Sequence, residues 1–215
     1  MEITYLGHSS FRIKGKNAIV VTDPYSLEKS GIKYPKHITA DIVTISHDHP
    51  DHNALHQVEG APYVIRGPGE YEVKGVGVIG TSTFHDQEKG AKRGKNTVYR
   101  IEIDGISVVH LGDLGHTLSS AEVDALDGVD ILMIPVGGHY TIDPAAAVSV
   151  VNEIEPSVVI PMHFRRPEMT GDAFKDLATL PMFLKEIGKE EVVSQPKLTI
   201  SKDKIPEQMQ VVVLA

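Results

Sequence analysis

The sequence predicts an α/β domain of layered sheets covered by helices, running over residues 1–215 as one unit. Three observations carry this. The first half is a succession of short β-type runs, the second half alternates strand-like and helical segments, and no linker rich in Pro, Gly or Ser divides them. A chain of 215 residues buries roughly 70% of its unfolded surface, so its core can sustain the fold without a metal or disulfide.

The elements follow in order. Ile3–Leu6, Ser10–Lys14 and Ala18–Thr22 are β-type runs separated by Gly7-His8-Ser9 and Gly15-Lys16-Asn17, which predicts an opening antiparallel meander ended by Asp23-Pro24. Tyr25 to Thr39 has no clear period and is expected to be a surface loop. Asp41–Ser46 is a buried strand, and a short helix is expected near Asn53–Val58. Tyr63–Arg66, Tyr71–Lys74 and Val76–Thr83 are further strands. Thr97–Ile103 and Ile106–Leu111 are joined at Asp104-Gly105, a hairpin signal. Ser119–Leu126 is helical, Ile131–Pro135 is a strand, and Asp143-Pro144 opens a helix with Asp as N-cap and Pro in the first turn. The strand Ser157–Pro161 follows. Asp172–Ile187 has apolar residues at helical spacing, with Pro181 as its weak point. Leu198–Ile200 and Val211–Leu214 are expected to close the fold as a pair of strands.

Composition narrows the chemistry. Lys and Arg number 21 against 29 Asp and Glu, and the net charge of −8 argues against a general nucleic-acid coat or an anionic membrane surface as partner. There is no cysteine, so disulfides, thiolate zinc sites, iron–sulfur clusters and cysteine nucleophiles are excluded. The N-terminus lacks a basic segment followed by an apolar one, and no apolar run reaches about 18 residues. The expectation is a cytoplasmic protein acting on a small molecule.

The stretch Ser46-His47-Asp48-His49-Pro50-Asp51-His52 stands out. From this chain's own His and Asp frequencies, a His-x-His-x-Asp-His match is expected by chance roughly 0.002 times. His47 and His49, two apart on an extended segment, project to one side, while Asp51 and His52 open the following turn and point from a second direction. One ion could not easily take all four. Imidazole and carboxylate suit zinc, manganese or iron. Further ligands should lie where predicted strands stop, and His85, Asp113 and His163 do. Singly, a histidine so placed is more often a hydrogen-bonded loop residue; beside the cluster, all three become ligand candidates.

With these residues in place, the chain resembles the metallo-β-lactamase superfamily, in which a His-x-His-x-Asp-His motif, a later His, an Asp after a strand and a final His bind two metals between two sheets. Leu6–Phe11, Thr22-Asp-Pro24, Gly112-Asp-Leu-Gly115 and Pro135-Val-Gly-Gly138 are similar to its small stand-alone hydrolases, the branch of the ascorbate-phosphate lactonase. The resemblance implies a four-layer αβ/βα sandwich. It puts His47, His49 and His85 on one divalent metal and Asp51, His52 and His163 on a second, with Asp113 bridging; zinc is the first expectation, manganese or iron the others.

Asp113, Asp51 and His116 are the candidate catalytic residues. Asp23 either orients a metal-bound imidazole or simply makes an Asp-Pro turn. His8, His116 and His139 could each supply a proton, although each is more often structural. His110 is expected to pack, and His37 and His56 to lie on the surface. Gly75-Val-Gly-Val-Ile-Gly80 formally matches a dinucleotide fingerprint but runs on into β-type residues where a helix is required. Lys89, Lys92, Arg93 and Lys95, and separately Arg165-Arg166, could hold a phosphate or carboxylate of the substrate; the alternative is a solvated loop. No nucleophile elbow is recognisable.

The first functional expectation is a binuclear hydrolase that directs a metal-bridging hydroxide at an ester, lactone, amide or phosphodiester bond. The alternatives are a metal-dependent nuclease, which the net charge disfavours, and a non-hydrolytic di-iron sensor or redox scaffold.

Overall fold

Period-two runs of β-branched residues, broken by Gly, Asn and Asp, build two large sheets and a two-stranded one in the computed structural model, which describes residues 1–169 and 174–215. β1 (Glu2–Gly7), β2 (Ser10–Lys14) and β3 (Ile19–Thr22) form the expected meander. The segment after β3 is not entirely loop: it carries one helical turn, α1 (Leu27–Ser30), closed by Gly31 in a left-handed conformation, and a short strand, β4 (Ile38–Thr39). β5 (Ile42–Ile45) joins β3 in parallel. β6 (Val58–Glu59) pairs with β4, and β7 (Tyr63–Arg66) adds in parallel to β5.

β8 (Gly69–Val73), β9 (Val76–Phe84), β10 (Lys95–Ile103) and β11 (Ile106–His110) are antiparallel neighbours. At Asp104-Gly105 both residues have positive φ (55° and 76°), the backbone that a two-residue hairpin of matching twist requires. From β11 onward the sheet becomes parallel. α2 (Ser120–Asp124), opened by a capping box on Ser119, leads to β12 (Ile131–Pro135), and α3 (Pro144–Ile154) leads to β13 (Val158–Met162). α4 (Leu180–Glu186), β14 (Leu198–Thr199) and β15 (Gln210–Val211) complete the chain.

The six-stranded sheet has the order β14-β1-β2-β3-β5-β7, and the seven-stranded sheet β15-β13-β12-β11-β10-β9-β8. Inward residues of both, Ile13, Val20 and Ile42 from one and Val78, Ile101 and Ile131 from the other, enter a single hydrophobic cluster. Val21, Val43 and Ile45 face the other way and are covered by Tyr25, Ile32 and Tyr34 of the α1 segment. The seven-stranded sheet is covered by α3 and α4, through Ala147, Val150, Phe183 and Leu184. The result is the four-layer αβ/βα sandwich, its outer layer on the first sheet reduced to a strap with one helical turn.

Two expectations are corrected. The tail strands do not pair with each other: β14 extends the first sheet beside β1, and β15 the second beside β13. The helix expected over Asp172–Ile187 is only Leu180–Glu186, with Pro181 in its first turn, where a missing N–H costs nothing; Asp172 itself lies outside the described residues. Before it, Ala178 donates its N–H to Gly137 and accepts from Arg165, so irregular backbone pairing captures a segment whose apolar spacing suits a helix. Among the described residues, no helix is long and apolar enough to cross a membrane.

α3 offers a direct test of local capping. The Asp143 carboxylate accepts the Ala146 N–H at 2.8 Å. Asp143→Ala should lower stability by about 0.5–2 kcal/mol, read as a shifted denaturation midpoint at unchanged slope, whereas Asp143→Asn should stay near wild type.

Candidate metal centre

Five of the seven predicted ligands follow a strand, His47 and His49 after β5, His85 after β9, Asp113 after β11 and His163 after β13, while Asp51 and His52 lie in the turn beyond His49. Two contacts hold the strand ends of the two sheets together. Thr97 donates its N–H to the Ser46 carbonyl at 2.8 Å, and the buried Tyr99 hydroxyl donates to the Ile45 carbonyl at 2.9 Å. The histidine-bearing turn of one sheet is thereby fixed to the middle of the other.

The side chains converge on Asp113. Its Oδ2 lies 3.2 Å from Nε2 of both His52 and His163, 3.3 Å from His85 Nε2 and 3.9 Å from His47 Nε2. His49 Nδ1 is 3.0 Å from His47 Nε2. Asp51 Oδ2 lies 3.8 Å from His52 Nε2 and 3.3 Å from His8 Nε2. The donor atoms form one compact group of His47, His49 and His85 and another of His8, Asp51, His52 and His163, each within a 4.8 Å spread. Six of the seven predicted ligands therefore fall into these two groups, His8 joins the second, Asp113 lies between them, and a third, overlapping group of Asp23, His47 and His52 crosses the division.

These spacings suit divalent ions. Nitrogen and oxygen donors about 2.0–2.2 Å from one ion, tetrahedrally placed, are roughly 3.3–3.6 Å apart, close to the separations around Asp113. His52 Nε2, His163 Nε2 and Asp113 Oδ1 are buried without a hydrogen-bond partner among the described residues, whereas buried polar atoms are usually paired.

Hydrogen bonds behind the cluster set the imidazole tautomers. The Asp23 carboxylate accepts the Ser46 N–H at 2.8 Å and the Ser46 hydroxyl at 2.5 Å, and faces His52 Nδ1 at 2.9 Å. With its proton given to Asp23, the Ser46 hydroxyl accepts from His47 Nδ1 at 2.9 Å. Both rings thus carry a proton on Nδ1 and present Nε2 to the cluster. Asp23 accordingly orients two imidazoles, one directly and one through Ser46.

Burial pushes the His47 imidazole down to about 2, with His52 adding to the effect and Asp113 opposing it. Burial likewise lowers His8 and His85 to about 4. Burial raises the Asp113 carboxyl, but His163 and His52 outweigh it and hold the group well below the usual range. Burial also raises Asp51, which His52 and His8 pull below that range.

The backbone is specialised around these side chains. His8, Asp23 and His163 are buried non-glycine residues in the left-handed region, at φ 53°, 37° and 53°. The His8 carbonyl accepts from the Tyr5 hydroxyl and the His163 N–H, locking the two turns together. A Cβ on Gly137 would stand 2.0 Å from the His163 carbonyl, and one on Gly115 2.3 Å from the His85–Asp86 backbone. Only glycine admits either approach.

Other expectations divide. His110 packs as expected, buried with Nε2 2.8 Å from the Ser9 carbonyl, and His37 and His56 are exposed. His116 is occupied by backbone: Nε2 accepts the Phe84 N–H at 3.2 Å and Nδ1 faces the Thr117 carbonyl at 2.8 Å, an arrangement that leaves no nitrogen for a substrate proton. His139 is exposed and meets the Tyr140 ring edge-on. Arg165 donates to the Lys175 carbonyl and Arg166 lies over the Tyr5 ring, both away from Asp113. A cavity of about 280 Å³ opens over Asp113, walled on its far side by Arg93, Tyr140 and Phe174. Sequence reasoning did not place Tyr140 or Phe174 there; neither follows a strand end or belongs to a motif.

Comparison with known proteins agrees with this geometry. Residues 2–163 match the family described as the beta-lactamase superfamily domain. A UPF0173 metal-dependent hydrolase of Thermoplasma acidophilum is 27% identical over 204 residues, covering 83% of this chain and 91% of the relative. Another, of Staphylothermus marinus, is 30% identical over 194 residues, covering 75% and 82%. The crystal structure of a candidate zinc-dependent hydrolase of the metallo-β-lactamase superfamily from Thermotoga maritima superposes with a TM-score of 0.81 at 38% identity, covering 99% of this chain and 97% of that one. Two imidazole-rich groups around one buried aspartate, at the strand ends of a four-layer sandwich that shares this ancestry, place the chain in the metallo-β-lactamase superfamily as a metal-dependent hydrolase.

Proposed function

We propose that the protein is a binuclear hydrolase of small-molecule esters, lactones, amides or phosphodiesters, with zinc as the expected metal and manganese or iron as the alternatives. The observation that carries this reading is Asp113 Oδ2, within 3.2–3.9 Å of four imidazole nitrogens drawn from both ligand groups. His47, His49 and His85 would hold one ion; Asp51, His52 and His163 the other, with Asp113 shared. Bound there, two dications would supply a water acidic enough to act as nucleophile at neutral pH and would polarise the bond attacked.

The chain's own residues do the rest. Asp23 and Ser46 hold His52 and His47 in the ligating tautomer. His8, with its ring 4.2 Å from that of His163 and Nε2 3.3 Å from Asp51, fixes the direction of the Asp51 carboxylate. Tyr140 and Phe174 narrow the approach and exclude water from the reacting bond.

Elemental analysis of purified protein, followed by assays on a phosphodiester, a lactone and an anilide, tests metal and reaction class together; about two ions per chain and metal-dependent turnover of one class are expected. Asp113→Ala removes a negative charge shared between two dications and should lose at least one ion and most activity. Retention of two tightly bound ions with near wild-type turnover would refute the bridge. Asp23→Asn should cost about 10–100-fold in metal affinity or activity at an equal folded fraction by circular dichroism.

His52 yields a pH prediction. Burial disfavours its charged form, but Asp113 and Asp51 outweigh burial and raise its pKa well above 6.5. In metal-free protein its stabilising contribution is full below about pH 6.5 and is lost as pH rises through the raised value. A dication must displace that proton, so metal binding should release one near neutral pH and tighten as pH rises. Calorimetric titrations in two buffers of different ionisation enthalpy would measure the release. Equal heats in both buffers would contradict it.

A further inference from the structure

The four cations that follow His85 in sequence are separated by the fold. Lys92 pairs with Glu88, and Lys89 is exposed at a left-handed turn. Arg93 and Lys95 instead line a cavity of about 570 Å³ that runs alongside the metal-ligand cluster past His47 and His49. Arg66 joins them there. It is the last residue of β7, in register with Ile45 of the strand that delivers His47. His49 and Arg93 border both this cavity and the smaller one over Asp113, so the two make one cleft.

The charge of this cleft is built in. Three cations, Arg66, Arg93 and Lys95, face one carboxylate, Asp48, which is exposed and lies 3.8 Å from Arg66. On a chain of net charge −8 this is a local reversal of sign. The loop carrying Arg93 is also pinned. The buried Asp86 carboxylate accepts the N–H groups of Glu88 and Gly90 on one oxygen, both at 2.8 Å, and those of Lys92 and Arg93 on the other, at 2.9 and 2.7 Å. With its oxygens occupied by amides, Asp86 orders the loop without pairing the Arg93 guanidinium, which lies 5.3 Å from the centre of the Tyr140 ring.

We propose that the larger cavity binds an anionic group of the substrate, a phosphate or a carboxylate remote from the bond cleaved, through Arg66, Arg93 and Lys95. The substrate is then a small organic anion whose reacting bond lies over Asp113 while its charge lies beside β7. This rests on the hydrolase reading for the reacting end only; the anion subsite stands on its own cations. Guanidinium and ammonium donors in a partly enclosed cleft make charge-assisted hydrogen bonds to either anion.

Two measurements on metal-loaded protein test it, each comparing wild type with the Arg66→Gln/Lys95→Gln double variant, whose changes avoid every proposed metal ligand. The first is the affinity for straight-chain dicarboxylates and ω-phosphonocarboxylates of graded length, with butyrate as the single-anion control. At least one length should bind about tenfold more tightly than butyrate, the advantage should vanish in the variant, and metal content should not change. The larger advantage, phosphonate or carboxylate, identifies the anion. The second is turnover of matched ester pairs, one neutral and one with a remote anion. A preference for the anionic ester in kcat/KM, lost in the variant, supports the subsite. Dianions no tighter than butyrate, an advantage surviving in the variant, or neutral and anionic esters cleaved equally well would overturn it. A variant-sensitive dianion advantage with no ester cleaved would keep the subsite and discard ester hydrolysis as the reaction.

Discussion

Two carboxylates, those of Asp23 and Asp113, are withdrawn from bulk water at one place in this protein, with the partly exposed Asp51 beside them, and that constraint governs the arrangement around them. Buried anions are tolerated only where cations or several donors meet them, since the cost of desolvating a lone carboxylate exceeds any packing gain nearby. Here the compensation comes from imidazoles supplied by turns far apart in sequence: His8, His52, His85 and His163. No single element could supply them. The two sheets have to pack face to face with these strand ends converging, and the Thr97–Ser46 and Tyr99–Ile45 hydrogen bonds hold them there.

The same constraint accounts for the unusual backbone. Three of the buried polar residues, His8, Asp23 and His163, hold left-handed conformations that β-sheet turns rarely ask of non-glycine side chains. Each such residue costs of order 1–3 kcal/mol, and the cost is sustained because the surrounding contacts over-determine the position. The His8 carbonyl, for example, is clamped by the Tyr5 hydroxyl and the His163 amide. Gly115 and Gly137 then let neighbouring backbone approach His85 and His163 more closely than any side chain would allow. Precise placement of imidazoles has been obtained at the expense of local backbone comfort.

What could be read from the sequence followed from how local each signal was. His47, His49, Asp51 and His52 were legible from their spacing in one short motif, and His85, Asp113 and His163 because each ends a β-type run, and a strand end is where a sandwich presents side chains. The Asp104-Gly105 turn and the Asp143 cap were legible because turn and cap chemistry depend on a few adjacent residues. His8 was ambiguous, since Gly-His-Ser between two strands looks like any tight turn and only its distant contact with Asp51 distinguishes it. The tail strands were misassigned to each other for the same reason: two short apolar runs carry no record of which sheet edge will accept them. Phe174 and Leu177 are buried as their spacing suggested, but in irregular backbone tied to Gly137 and Arg165, so a correct apolar pattern predicted the wrong element.

Charge shows the same division between composition and placement. A net −8 argues well against an extended polyanion lying over the surface, because that interaction sums over the whole field of the protein. It says little about a cleft, where a few cations act over distances shorter than the screening length of about 8–10 Å. Lys89, Lys92, Arg93 and Lys95 look equivalent along the chain, yet the turn ordered by Asp86 sends two outward and leaves two lining the cleft with Arg66. Where these cations stand therefore depends on how one buried carboxylate folds a loop, and not on how many basic residues the loop contains.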